Sequence, residues 1–132
     1  MAIGRSENMM RIRSKDTLPE LLVRRQLRAL GYRGYRLHRA DLPGNPDIAF
    51  IGRKKAILVH GCFWHGHECK EGARKPKSRQ DYWLPKIERN RARDAENQTR
   101  LVKDGWLVLT LWECELGDLG ELEQRLRAFM SE

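Results

Sequence analysis

Asp47-Ile48-Ala49-Phe50-Ile51-Gly52-Arg53-Lys54-Lys55-Ala56-Ile57-Leu58-Val59-His60 is the stretch on which the fold turns. An apolar run, a Gly-Arg-Lys turn and a second run that is nearly all apolar read as the two strands of a hairpin. The second run, residues 55–59, has so little polarity that it belongs near the centre of a sheet, covered on both faces. Antiparallel pairing then sets the start of the first strand against the end of the second. Asp47 is therefore predicted to lie near His60, a carboxylate beside an imidazole at one rim of the sheet.

The second strand runs directly into His60-Gly61-Cys62-Phe63-Trp64-His65-Gly66-His67-Glu68-Cys69, which holds two of the three cysteines and three of the four histidines. Cys62, His67 and Cys69, completed by the distant Cys114, have the donor types of a tetrahedral Cys3His zinc site. Such a site has no open position, so its role is structural. His65 or Glu68 could take the place of His67. The competing reading is three reduced cysteines in an intracellular core, with Cys62 and Cys69 able to pair. Residues 106–112 read as a further strand that delivers Cys114 at its end. If that strand lies parallel to residues 56–59, Cys114 arrives beside Cys62 and a zinc ion staples two strand ends.

Upstream, Thr17-Leu18-Pro19-Glu20 has the form of a capping box, with Pro19 in the first turn. The helix it starts is predicted to run to about residue 30. Leu22, Val23, Leu27 and Leu30 form its buried stripe, Arg24, Arg25 and Arg28 lie off it, and Gly31 ends it. The capping box gives Glu20 a sufficient structural job. A short strand follows around residues 35–38, then a turn-rich loop over residues 41–46. Residues 82–101 read as a helix with Trp83 and Ile87 on one face and Lys86, Arg89, Arg91 and Arg93 elsewhere. On spacing alone Trp83 reads as core. The last helix, residues 119–130, turns Leu122, Leu126 and Phe129 to one side. Residues 1–16 form a basic arm in which Met9 and Met10 either pack on the body or act as apolar wedges between base steps. Residues 17–132 form a single domain, and the basic segment 70–80 suits phosphates.

Across 132 residues the formal charge is +8, a surplus for which nucleic acid is the first candidate partner. No apolar run is long enough to span a bilayer, and the odd cysteine count argues against a secreted disulfide scaffold, so a cytoplasmic location is expected. On such a domain the hairpin rim suits metal-assisted phosphodiester cleavage. Asp47 would hold Mg2+, with the main-chain carbonyl of Val59 as a second ligand. His65 first, and His60 second, would activate water or steady the developing charge. The plain alternative for Asp47 is a turn aspartate after Pro46.

Pro43-Gly44-Asn45-Pro46-Asp47, the run from His60 through His65 to Cys69, and Trp112-Glu113-Cys114 together resemble the very-short-patch repair (Vsr) DNA mismatch endonucleases. Arg5-Ser6 with Asn8-Met9, Asp16-Thr17 with Glu20, and Tyr82-Trp83-Leu84-x-Lys86-Ile87 extend the likeness, in one order, over residues 5 to 118. The resemblance implies an α/β, restriction-endonuclease-like fold, a mixed central sheet flanked by helices, with a structural zinc site. It implies nicking of one strand 5′ of the thymine in a T:G mismatch left by deamination of 5-methylcytosine. By matching position, Asp47 would be the metal-binding catalytic carboxylate and His65 the catalytic histidine, with His60 and Glu20 assisting. Cys62, His67, Cys69 and Cys114 would hold zinc. Phe63, Trp64 and Trp83 would form an aromatic wedge at the mismatch, Met9 would be a wedge from the arm, and Lys86 would join the DNA contacts. The implied partners are mismatched duplex DNA met as a monomer at the nucleoid, a cytosine-5 DNA methyltransferase by functional linkage, and mismatch-repair proteins. The sequence departs from the wider nuclease fold where Glu-x-Lys is common on the second strand. Here that place reads Val59-His60-Gly61, which leaves Asp47 as the only acidic metal ligand on the hairpin. Two other readings stay open. One is a same-fold nickase or endonuclease for another DNA target, tied to restriction–modification. The other is a catalytically silent, zinc-stabilised DNA-binding protein.

Overall fold

Thr17 is extended, and its Oγ1 accepts a hydrogen bond from the Glu20 N–H at 3.3 Å, which starts α1 (Leu18–Ala29). The structure, a computed structural model, describes residues 17–62 and 80–132. The expected arm with Met9, and the segment with Phe63, Trp64, His65, His67 and Cys69, lie outside the described residues. After α1 come β1 (Arg36–Leu37), β2 (Ile48–Phe50), β3 (Lys55–His60), α2 (Gln80–Lys103), β4 (Leu107–Trp112), a 3-10 turn (Glu113–Glu115) and α3 (Leu119–Ser131). The strands form one four-stranded sheet in the order β1-β2-β3-β4.

The hairpin is as the sequence predicts. β2 and β3 pair antiparallel with Ile48 opposite Ile57 and Phe50 opposite Lys55. β4 then lies parallel to β3, with Ala56 opposite Val108 and His60 opposite Trp112, so the sheet is mixed. Alternation along the strands sends successive side chains to opposite faces. On one face Ile48, Phe50, Ile57 and Leu111 pack with Val23 and Leu27 of α1 and with Leu122, Leu126 and Phe129 of α3. On the other, Ala49 and Ala56 pack with Leu101 near the end of α2 and with Trp106. A mixed sheet between helices results, consistent with a restriction-endonuclease-like fold.

The structure corrects several local expectations. Arg24 is buried rather than off the stripe, because it faces the carboxylate of Glu20 at i−4. β1 is only two residues long, since Gly34 (φ +84°) and His38 (φ +49°) bracket it with left-handed backbone. α2 begins ahead of the expected place and runs through Pro85. Lys55, at the start of β3, is itself buried. Its Nζ donates to the main-chain carbonyls of Phe129 at 2.8 Å and Met130 at 2.7 Å, and lies 5.6 Å from the Phe129 ring centroid. An ammonium there satisfies carbonyls at a helix C-terminus and complements its dipole. Lys55→Met keeps the stem but removes the donor. It is expected to lower unfolding free energy by about 2 kcal/mol, read as a shifted urea midpoint at unchanged slope.

Candidate active site

The rim of the sheet is built by the two turns that flank β2. Past β1 the ladder continues without formal strand geometry: His38 N–H donates to the Asp47 carbonyl at 3.2 Å and Arg39 N–H to the Pro46 carbonyl at 3.3 Å. The loop between them closes on itself through Leu42 N–H to the Arg39 carbonyl and Asn45 N–H to the Leu42 carbonyl. Gly44 sits in this loop at φ +81°, and a Cβ placed there would meet Asn97 Cβ of α2 at 3.1 Å. Both its backbone angle and its close approach to α2 call for glycine. Pro46 is fully buried, and the chain enters β2 with Asp47 fixed at its mouth.

Asp47 Oδ2 accepts a hydrogen bond from the Val59 N–H at 2.6 Å. The expected meeting of the hairpin's two ends therefore takes place, with the main chain next to His60 as Asp47's partner. In an extended strand the N–H and C=O of one residue point to the same edge. The Val59 carbonyl is consequently turned to the Asp47 side as well. The His60 ring is buried and meets the Trp112 ring edge-on, with centroids 5.1 Å apart. His65 lies outside the described residues.

Glu20 comes to the same place from α1. Its side chain is buried, and its Oε2 lies 3.1 Å from Arg24 Nη2 and 3.0 Å from His38 Nε2. The carboxylate is thus turned inward rather than spent on the helix start, and only Thr17's half of the capping box carries the cap. Glu20, His38 and Asp47 each place one ligand atom within 4.8 Å of the others. Burial and the neighbouring Glu20 carboxylate push the Asp47 carboxyl up to about 8, against the pull of the Val59 N–H and the Arg24 charge. A carboxyl group forced to keep its proton in this way is a mark of functional sites.

His38 and Arg24 were not among the residues singled out from sequence. Their signals were present but faint. Arg24 is four residues beyond Glu20, and His38 is the residue that faces Asp47 across a loop already recognised as turn-rich.

Two further groups of expected residues come into view. Cys114 N–H donates to Cys62 Sγ at 3.4 Å, so the parallel pairing of β3 with β4 does bring these two cysteines together. Cys62 is buried and Cys114 exposed. At the start of α2, Tyr82 and Trp83 stack edge-to-face at 4.8 Å. Lys86 Nζ lies 5.8 Å and 5.9 Å from their ring centroids. Tyr82 is exposed and Trp83 half-buried; among the described residues neither belongs to an apolar core cluster. Spacing had pointed to a core Trp83; the fold instead leaves an aromatic pair with a cation at the surface.

A buried carboxylate at the mouth of a hairpin, in a mixed four-stranded sheet between helices, marks an α/β protein consistent with the restriction-endonuclease-like class. Comparison with known proteins makes this specific. The family model for DNA mismatch endonuclease Vsr matches residues 2–71. The type II nicking enzyme V.XorIIP of Xanthomonas oryzae pv. oryzae is 58% identical over 119 residues, covering 90% of this chain and 86% of that protein. The type II nicking enzyme V.NmeAIP of Neisseria meningitidis is 44% identical over 128 residues, covering 97% and 90%. The DNA mismatch endonuclease Vsr of Escherichia coli is 40% identical over 112 residues, covering 85% and 70%. The chain belongs to the Vsr DNA mismatch endonuclease family.

Proposed function

We propose that this protein is a DNA endonuclease that nicks one strand 5′ of the thymine in a T:G mismatch, the product of 5-methylcytosine deamination. The observation that carries the reading is Asp47, held by the Val59 N–H at 2.6 Å beside buried Glu20, in a chain of this family. Asp47 and the Val59 carbonyl offer the hard oxygen donors that suit Mg2+. When bound, Mg2+ supplies charge neutralisation at the phosphoryl oxygens. The protein's own groups do the rest. Glu20 adds negative charge beside Asp47, and Arg24 holds Glu20 in place. His65 is assigned the proton transfer to or from the attacking water, and His60 assists from the end of β3. Tyr82, Trp83 and Lys86 form a half-exposed surface of the kind that stacks on unpaired bases and neutralises phosphate, to which Phe63, Trp64 and Met9 are assigned as partners. Cys62 and Cys114, with His67 and Cys69, are assigned to a structural Zn2+. The paired thiols on adjacent strand ends, one receiving a main-chain N–H, fit that ion's preference for sulfur.

The favoured partner is mismatched duplex DNA, bound by a monomer at the nucleoid in the cytoplasm. A functional link runs to the cytosine-5 methyltransferase whose product creates the lesion, and mismatch-repair proteins act downstream. A second reading keeps the nickase and changes the target, to a site tied to a restriction–modification system. It is favoured by the relatives named type II nicking enzymes.

The test is incubation of the protein with Mg2+ and strand-labelled duplexes carrying T:G in varied flanking sequence, with C:G controls. A single nick 5′ of the mismatched T is expected, and its rate should fall by about a thousandfold or more in Asp47→Ala. Cleavage of the C:G controls at the same rate would sink the mismatch reading. Binding without any cleavage would favour the silent DNA-binding alternative.

A further inference from the structure

We propose that His38 is a positioning residue of this site, fixing the Glu20 carboxylate against Asp47. Glu20 and Arg24 belong to one helix, so their ion pair at 3.1 Å orients Glu20 only with respect to α1. His38 joins that carboxylate to the hairpin that carries Asp47. Its Nε2 lies 3.0 Å from Glu20 Oε2, and its main-chain N–H donates to the Asp47 carbonyl at 3.2 Å. One residue therefore grips both carboxylate bearers, one through the ring and one through the backbone.

Arg24 Nη2 and His38 Nε2 both reach Glu20 Oε2, at 3.1 Å and 3.0 Å, and stand 3.3 Å from each other, so the three groups form one hydrogen-bonded cluster. In the tautomer with its proton on Nε2, the ring donates to the carboxylate. His38 holds φ +49°, a left-handed angle that histidine tolerates better than most side chains and that turns its ring away from the path of β1. A metal ion bridging Glu20, His38 and Asp47 is disfavoured, because the Arg24 guanidinium already supplies the positive charge at Glu20 Oε2 and His38 Nε2.

The inference rests on the nicking reading, and the experiment separates the two. His38→Gln can present an amide N–H close to where Nε2 lies; His38→Leu cannot. At saturating duplex, His38→Leu is expected to slow nicking about tenfold or more while duplex affinity stays within about twofold, and His38→Gln to recover to within about threefold. In a Glu20→Ala background, which leaves no side-chain acceptor for the ring, His38→Leu should cost less than about twofold more, because its route of action is already cut. Equal losses in both backgrounds, or no rescue by His38→Gln in a protein with unchanged melting temperature, would overturn the proposal. The same four-protein cycle is read without DNA as Mn2+ affinity by electron paramagnetic resonance, since a cation at Asp47 lies in the field of Glu20. Loss with His38→Leu that vanishes in the Glu20→Ala background supports the proposal; Mn2+ binding indifferent to His38 overturns it. Should the wild-type protein nick no duplex, the functional reading fails and the Mn2+ cycle alone decides the role of His38.

Discussion

Asp47→Asn is expected to abolish nicking and, in the absence of divalent cation, to make the protein more stable at pH 8. The two effects share one cause. The Asp47 carboxyl is pushed from an ordinary 3.8 to about 8, first by burial and then by the facing Glu20 carboxylate. An amide keeps an oxygen to accept the Val59 N–H and has no charge to desolvate. It also loses the anionic oxygen that a hard cation requires.

The direction with pH follows from proton counting. Between about 4 and 8 the folded protein holds a proton on Asp47 that the unfolded chain has released, so stability falls as pH rises through that window. The contribution is fully present below about 4 and is lost above about 8. Asp47→Asn has no such dependence at this position. The stability gap between variant and wild type should therefore be small near pH 4 and widest at pH 8 and above, on the order of 5 kcal/mol. Thermal melts in chelator across that range measure it. A wild type as stable as the variant at pH 8 would show that Asp47 ionises without penalty. The same proton must leave when a cation binds, so Mg2+ affinity should rise with pH and level off above about 8.

What the sequence discloses about this rim is what depends on covering and pairing. Residues 55–59 are apolar at nearly every position, so β3 had to be internal, and the Gly52-Arg53-Lys54 turn then set Asp47 against the β3 end. The apolar run ending in Cys114 left its parallel pairing with β3 as a condition; the fold meets that condition, and it is enough to bring Cys114 to Cys62. Periodicity was blind to the polar interior. It counted Arg24 as an outward charge because charged residues are rarely buried unless paired, and the partner that makes burial tolerable is Glu20 on the same helix. It gave Glu20 to the helix cap, where Thr17 alone suffices. It took His38 for a strand residue, although the left-handed turn of that one backbone unit is what aims the ring. Trp83 illustrates the opposite error. An indole at a helical spacing that fits a core was expected inside, but α2 buries Ile87 and Leu101 and leaves Trp83 half-buried beside Tyr82.

Cys114→Ser is expected to lower the melting temperature by about 10 °C or more, an effect far larger than the position would warrant without a metal ion. Cys114 is exposed, in the 3-10 turn just after β4. Exchanging an exposed thiol for a hydroxyl ordinarily changes stability by about 0.5 kcal/mol at most. The proposed zinc changes that account. The Cys114 N–H reaches Cys62 Sγ at 3.4 Å, so the two sulfur-bearing residues sit on the ends of the paired strands β3 and β4. An ion held there joins those ends to each other and to the segment carrying His67 and Cys69. Its binding free energy then becomes folding free energy. The turn that offers Cys114 is separately braced. Glu115 Oε1 accepts from the Trp112 N–H and from Arg125 Nη1 of α3, both at 2.9 Å, so serine would enter a turn that is braced independently of the Cys114 thiol. Elemental analysis should find about one zinc per chain in the wild-type protein, and a strong chelator should reproduce the melting shift of the variant. A metal-free wild type, or a Cys114→Ser protein that melts with the wild type, would leave Cys62 and Cys114 as reduced neighbours in a core that needs no staple.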